Sequence, residues 1–222
     1  MKIEKSLYFF ICLFIVSACH HANEKKESSA DQSVYQLSAE EIIQLKEGDI
    51  ILRHGYGFVS NSIVKALRED LPVSHVGVIV KNGQEKFSVI HSVSQTLSDY
   101  NGVQIQDLQS FVRDSQDSSI VIVRYKNAIE NEGSDQQIAK HAYRYLKKRV
   151  PFDYRFDLED STGFYCSELI VRIFSDTYNF NAEKQIFLNV QKPEDKLRLD
   201  VFRNPGLFVE IINHHHPKKS GL

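Results

Sequence analysis

The chain has 222 residues, 42% of them hydrophobic and 25% charged, enough for one medium domain with the balance of an ordinary globular protein. That composition excludes collagen-like, coiled-coil and wholly disordered chains. Lys plus Arg number 27 and Asp plus Glu 29, a near-neutral balance without a basic stripe, so nothing points to a nucleic-acid partner.

Lys2 and Lys5 precede an apolar run from Leu7 to Val16, and small residues follow at Ser17 and Ala18. This is the order of a bacterial export signal, and about 10 apolar residues make roughly half a membrane span. Val16-Ser17-Ala18-Cys19 resembles the lipobox of bacterial lipoproteins, in which the cysteine is lipidated and becomes the first mature residue. The expected organisation is a signal peptide at 1–18, a lipidated Cys19 with a flexible tether at 19–36, a domain at 37–212 and a polar tail at 213–222. The expected address is the bacterial cell envelope, with the lipid on Cys19 as the membrane partner. Acyl chains hold a membrane with about 0.8 kcal/mol per buried methylene. The polar stretch His20 to Ser33 offers almost nothing to bury.

Within the domain, Ser38 and Glu41 form a capping box for a short helix through Leu45. Gly48-Asp49 is a turn, and Ile50 to Leu52 start a strand. A glycine-rich loop, His54 to Gly57, leads into a helix over Val59–Leu67. Val73–Val80 and Phe87–Val93 read as strands around an Asn82-Gly83 hairpin signal. Val103–Ile105 is a brief strand and Ile120–Tyr125 a β-branched one. Ser134 and Gln137 form a second capping box, opening a helix whose apolar face carries Ile138, Ala142, Tyr145 and Leu146, with Pro151 just past its end. Ile186 to Leu188 and Val201-Phe202 look strand-like or loop-packed. Helices mixed with clustered central strands predict an α+β fold with an antiparallel sheet packed against helices.

Of three cysteines, Cys12 leaves with the signal and Cys19 is the lipid site, so Cys166 is the lone thiol of an exported domain. Three cysteines make no disulfide framework. Leu169, Ile170, Ile173 and Phe174 follow Cys166 at helical spacing, which puts Cys166 on the inward stripe in the first turn of a helix. Ser161, Thr162 and Gly163 supply turn and capping residues before it. Unpaired N–H groups and the helix dipole favour a thiolate there, as a nucleophile requires.

A cysteine nucleophile needs an imidazole oriented by a third polar group. His20, His21 and the run His214-His215-His216 fall in the tails, and His141 on a surface helix. His54, His75 and His91 remain. His75 opens one strand of the hairpin and His91 ends the other. Gly77, on the face of His75, leaves room for another element such as the start of the Cys166 helix. A two-residue Asn82-Gly83 turn puts the two histidines on opposite faces; a three- or five-residue loop centred on Gly83 sets them directly opposite each other.

GDIILRHGYGFVS, SHVGVIV, VPFDYRFD and FYCSELIV, in this order, resemble the permuted papain-like amidases of the YaeF/YiiX kind, relatives of the NlpC-type cell-wall peptidases. The resemblance covers roughly Leu45 to Phe174. It implies a circularly permuted papain-like fold, Cys166 as nucleophile, His75 as general base and His91 as the third polar residue. Many family members look as if they use glutamate at that third position. Histidine there is similar to the His-His-Cys set of lecithin retinol acyltransferase-like enzymes. Tyr165 is a donor to substrate or oxyanion, or a packed aromatic. Glu168 and Asp153 fit the pattern as capping or supporting groups, and Asp49 shapes the turn before the first strand.

The expected activity is that of an exported cysteine hydrolase cleaving an amide through an acyl-enzyme, with peptide or acyl-amide substrates of the envelope, cell-wall peptides among them. A lipid-directed acyltransferase or thioesterase, or a non-catalytic envelope binding domain, are the alternatives. This chemistry needs no cofactor. The histidine clusters near the ends lack the spacing of a metal site.

Overall fold

A computed structural model describes residues 34–68, 70–178, 186 and 198–215. The segment read as a signal peptide, Cys12, Cys19, His20, His21, His216 and the strand-like pair Phe187-Leu188 lie outside the described residues.

The elements run α1 (Ala39–Ile42), β1 (Ile50–Arg53), α2 (Gly57–Leu67), β2 (His75–Lys81), β3 (Phe87–Val93), β4 (Gly102–Asp107), α3 (Leu108–Arg113), β5 (Val121–Tyr125), α4 (Lys126–Glu130), α5 (Ser134–Lys148), α6 (Cys166–Tyr178), a 3-10 turn (Asp200–Arg203) and β6 (Phe208–Asn213). The six strands form one sheet in the order β4-β3-β2-β1-β5-β6, every pair antiparallel. This is the α+β arrangement the sequence predicts.

Alternation along the strands gives each sheet face its own core. Ile50, Leu52, Val76, Val78 and Ile90 meet α5 and α6 through Ile138, Ala142, Leu169, Ile170 and Phe174. Ile51, Ile79, Val89 and Ile122 meet Leu37, Leu108 and Phe111 on the opposite face. Asp49, fully buried, accepts the Lys46 N–H at 2.8 Å, closing the predicted turn. It also takes Arg124 in a two-pronged bond of 2.6 and 2.8 Å, which ties the start of β1 to β5.

The Ser38–Glu41 capping box forms as predicted. The second does not: Ser134 lies inside α5, and Gly133, with φ of 80°, takes the cap position instead. A left-handed residue is needed there to turn the chain out of α4, and glycine adopts it without steric penalty. Ser161 to Gly163 do not cap α6 either. Gly163 packs against Pro151, where a Cβ would sit 3.1 Å from the Pro151 carbonyl oxygen, and the helix starts only at Cys166. Residues assigned to the tether and tail join the sheet edge: Tyr35 bonds His214 Nδ1 at 2.7 Å, and the His214 N–H donates to Ile120 O at 2.8 Å. Tyr35 and His214 both lie just outside the expected 37–212 bounds. The described residues from 35 to 215 cluster as one compact unit.

Candidate active site

Between β2 and β3 the ladder joins Lys81 to Phe87, Val80 to Ser88, Ile79 to Val89 and Val78 to Ile90. The loop is therefore residues 82–86, five residues shifted one place beyond a loop centred on Gly83. Asn82 builds it: its side-chain oxygen accepts the N–H groups of Gln84 and Lys86, and Glu85 takes a positive φ of 58°. Gly83 does not carry the turn.

This register keeps His75 and His91 on one side of the sheet without setting them opposite each other. Continued by one residue it sets Gly77 opposite His91, and a Cβ on Gly77 would lie 2.4 Å from Val89 Cγ1 and 3.2 Å from His91 Cβ. The space at Gly77 thus belongs to the side chains of β3, not to the Cys166 helix. With that space free, His91 leans diagonally across and its Nδ1 comes within 2.8 Å of His75 Nε2. The rings meet edge-on at 77°, centroids 5.0 Å apart, and Phe111 lies against both, with centroids at 6.0 and 5.3 Å. Arg53, the β1 partner of His75, stacks its guanidinium 3.9 Å from the Phe111 centroid and donates to the Phe111 carbonyl at 2.9 Å.

Burial, with Arg53 adding to it, pulls His91 down to about 3. His75 is held well below the ordinary histidine value by burial first, then by His91 and Arg53. Both rings are therefore neutral at neutral pH. A neutral imidazole has one donor and one acceptor nitrogen. If His75 Nε2–H donates to His91 Nδ1, the lone pair of His75 lies on Nδ1, the nitrogen left over to act as a base.

Cys166 is the first residue of α6 and is partly exposed. Ser92, the neighbour of His91, donates from Oγ to the Phe164 carbonyl at 2.5 Å, pinning the chain two residues before Cys166 to β3. The Phe164 N–H donates to Pro151 O at 2.9 Å. The body of α6 covers the Val76–Val78 face, whereas the histidines project toward Phe111. Cys166, His75 and His91 nevertheless line one cavity of about 950 Å³. It lies at the end of the sheet where the β2–β3 ladder has stopped, since pairing extends only to Val78 and Ile90.

Much of the cavity wall is apolar: Val59, Ile63 and Leu67 of α2, Phe152 and Phe156 of the loop before α6, and Leu199. Tyr165 is 2% exposed and packs its ring on Phe156 at 5.4 Å, in the cavity wall beside Cys166. Asp153 shapes the aromatic loop by accepting the N–H groups of Arg155 and Asp157, each at 2.7 Å. Glu168, fully buried, bonds Arg172 at 3.1 Å, and Arg172 in turn donates to the Leu158 carbonyl. Burial pushes Glu168 up to about 7.

His54 lies apart from the pair and bonds Asn61 at 3.0 Å and Gln116 at 3.2 Å. His141 faces Asp176 at 3.9 Å. Among the described residues no group of three His, Cys, Asp or Glu is placed to hold a metal ion. Sequence reasoning missed Arg53, Phe111 and Ser92. The signal for Phe111 was Asp107, whose side chain caps α3 by accepting the Ser110 N–H at 2.9 Å.

Residues 44–199 match the family described as permuted papain-like amidase enzyme, YaeF/YiiX, C92 family. No curated protein matches the chain. Among solved structures, the metalloprotein yiiX from Escherichia coli O157:H7 is similar, with 21% identity and a TM-score of 0.49 over 77% of this chain and 89% of that one. The family match spans well over half of the sequence and both motif blocks that frame the cavity: the chain belongs to the permuted papain-like amidase family.

Proposed function

We propose that this member is a cysteine amide hydrolase in which Cys166 is the nucleophile, His75 the general base and His91 the residue that holds His75 in its useful tautomer. The single observation that carries the reading is the His75 Nε2–His91 Nδ1 contact of 2.8 Å in the wall of the cavity that Cys166 also lines. His75 Nδ1 takes the thiol proton as Cys166 Sγ attacks the amide carbonyl. The oxyanion is met by backbone N–H groups at the start of α6. The imidazolium then gives its proton to the leaving amine, and a C–S acyl bond remains. Water, activated by the same nitrogen, cleaves that bond and restores the thiol. Burial and Arg53 disfavour a standing imidazolium, so the base acts as the bond forms rather than through a resting ion pair.

Cell-wall peptides are the first substrates to try, with the chain exported and lipid-anchored at Cys19 in the bacterial envelope. The apolar cavity wall favours a second reading, an acyltransferase or thioesterase acting on lipid acyl groups. Turnover of a cell-wall tripeptide and of a long-chain acyl amide, by wild type and by Cys166→Ala, tests both. Hydrolysis lost in Cys166→Ala supports the enzyme, and the better substrate chooses the reading. Turnover of neither substrate together with an ordinary, unactivated Cys166 leaves a non-catalytic binding domain.

A further inference from the structure

We infer that Gln104 is a positioning residue for the histidine pair: its side-chain oxygen accepts the His91 Nε2–H and holds both rings in the tautomers that leave His75 Nδ1 free as the base. The inference rests on the reading of His75 as that base. A neutral imidazole carries one proton on its two nitrogens. With His75 Nε2–H given to His91 Nδ1 across 2.8 Å, the His91 proton has to sit on Nε2. That nitrogen is buried and makes no hydrogen bond, in a side chain only 3% exposed. A buried donor left without an acceptor is costly. The opposite pair of tautomers, with His91 Nδ1–H donating to His75 Nε2, puts the His75 proton on Nδ1 and removes the base. The working pair therefore needs an acceptor at His91 Nε2.

The strand register supplies one. His91 and Gln104 are direct cross-strand partners on β3 and β4, and such a pair shares a sheet face with Cβ atoms about 5 Å apart. Both side chains line the cavity. Gln104 Nε2 is itself buried without a hydrogen bond, whereas Gln104 Oε1 accepts from Ser98 Oγ at 2.9 Å. Two neighbouring side chains thus each hold a donor without an acceptor, and a half-turn of the Gln104 amide satisfies both. Oε1 then takes the His91 Nε2–H, and Nε2 donates to Ser98 Oγ. That hydroxyl has two acceptor lone pairs, one of them used by the Tyr100 N–H at 3.3 Å. The end torsion of glutamine is broad, so the half-turn is open to it.

Two other polar side chains at this end of the cavity do not fill the role. Arg53 Nε also lacks a partner, but a guanidinium only donates. Gln106, on the same face of β4, gives its amide to Asp114 at 2.6 Å and stands opposite Val89 rather than His91.

Long-range proton–nitrogen correlation spectra of the full chain, labelled at histidine, read which nitrogen of each ring carries the proton. The two rings are assigned by the loss of their signals in His75→Ala and His91→Ala. In Cys166→Ala, which removes the reaction, both rings carry the proton on Nε2. Adding Gln104→Met, of similar size but with no amide acceptor, brings in a second tautomer on both rings. In the protein with its thiol, Gln104→Met lowers kcat about tenfold with KM within about twofold. Gln104→Glu, which keeps an acceptor, restores the spectra and the turnover. Ser98→Ala frees the amide and moves the spectra in the same direction, so the test stands even where Gln104→Met fails to fold. A His91 ring protonated on Nδ1 in Cys166→Ala, or tautomers that ignore both Gln104→Met and Ser98→Ala, overturns the proposal. Tautomers that respond in a protein whose wild type shows no turnover support the His91–Gln104 bond and overturn only the catalytic reading.

Discussion

His75 and His91 are joined at 2.8 Å although they are not cross-strand partners: His91 pairs with Gln104 on β4, and His75 with Arg53 on β1. The diagonal contact exists because Gly77 has no side chain. Gly77→Ala would set a Cβ 2.4 Å from Val89 Cγ1. It is expected to destabilise the domain by about 1–3 kcal/mol and to slow turnover. Urea unfolding and steady-state kinetics on the same variant check this; an Ala variant of wild-type stability would show that the strands part freely at this point.

In the proposed mechanism His91 is the acceptor that fixes the His75 tautomer, and His91→Ala removes it. The expected loss is about 10- to 100-fold in kcat, of the order typical for a lost orienting partner, with KM little changed. His91→Asn, which retains a carbonyl acceptor, recovers part of it. Equal losses in the two variants would mean that His91 is needed for packing alone.

The histidine pair also sets two pH dependences. A base whose folded pKa lies below its unfolded value binds fewer protons when folded. Stability is therefore whole above the unfolded value near 6.5 and drains away as pH falls, for His91 down to about 3. The slope is at most about 1.4 kcal/mol per pH unit per histidine. With His75 as the proposed base, turnover needs it neutral and is expected to hold below pH 6.5. Removing the charge in Arg53→Met raises both histidines, so the acid limb of kcat/KM moves to higher pH. An acid limb that stays in place would remove Arg53 from the account.

Glu168 works in the opposite direction. Its folded value is raised to about 7 by burial, so the folded state holds a proton that the unfolded chain has lost. The stability this gives is whole below about 4.5 and is lost as pH rises through 7. Glu168→Gln, neutral throughout, flattens that fall. Denaturation midpoints at pH 5, 6, 7 and 8 for the two proteins compare the slopes directly.

Breaking the buried Asp49–Arg124 pair strands one charge in the interior. Asp49→Ala is expected to lose about 3–5 kcal/mol, far more than loss of the exposed Lys81–Glu85 pair, worth at most about 1 kcal/mol. Chemical denaturation of Asp49→Ala and Glu85→Ala measures the contrast.

Much of this was legible in the chain because local rules agreed with the fold. The alternation in Val76 to Val80 and Phe87 to Val93 set the central strands. The spacing from Cys166 to Phe174 set α6, and the Ser38 box set α1. Register was not legible: Asn82-Gly83 reads as a two-residue turn, whereas Asn82 uses its side chain to build a five-residue loop with Glu85 in the left-handed region. Helix α3 and strand β6 were missed. Each is six residues long, too short for a periodic signal, and β6 follows an irregular stretch. Arg53 looks like a strand-end charge until β1 is seen beside His75. His214 looked like tail because three histidines in a row carry no pattern, yet it bonds Tyr35 and Glu41.

In the proposed mechanism Cys166 is a nucleophile served by His75. The direct measurement is the rate at which iodoacetamide alkylates Cys166, followed by mass spectrometry across pH 5 to 9, in wild type, His75→Ala and His141→Ala. An unassisted thiol with a pKa near 8.5 is only a few per cent thiolate at pH 7. The wild-type rate is expected to persist below pH 7. It is at least about tenfold faster at pH 7 than in His75→Ala, and His141→Ala matches wild type. Alkylation that rises only above about pH 8, unchanged by His75→Ala, would mean that His75 does not activate Cys166.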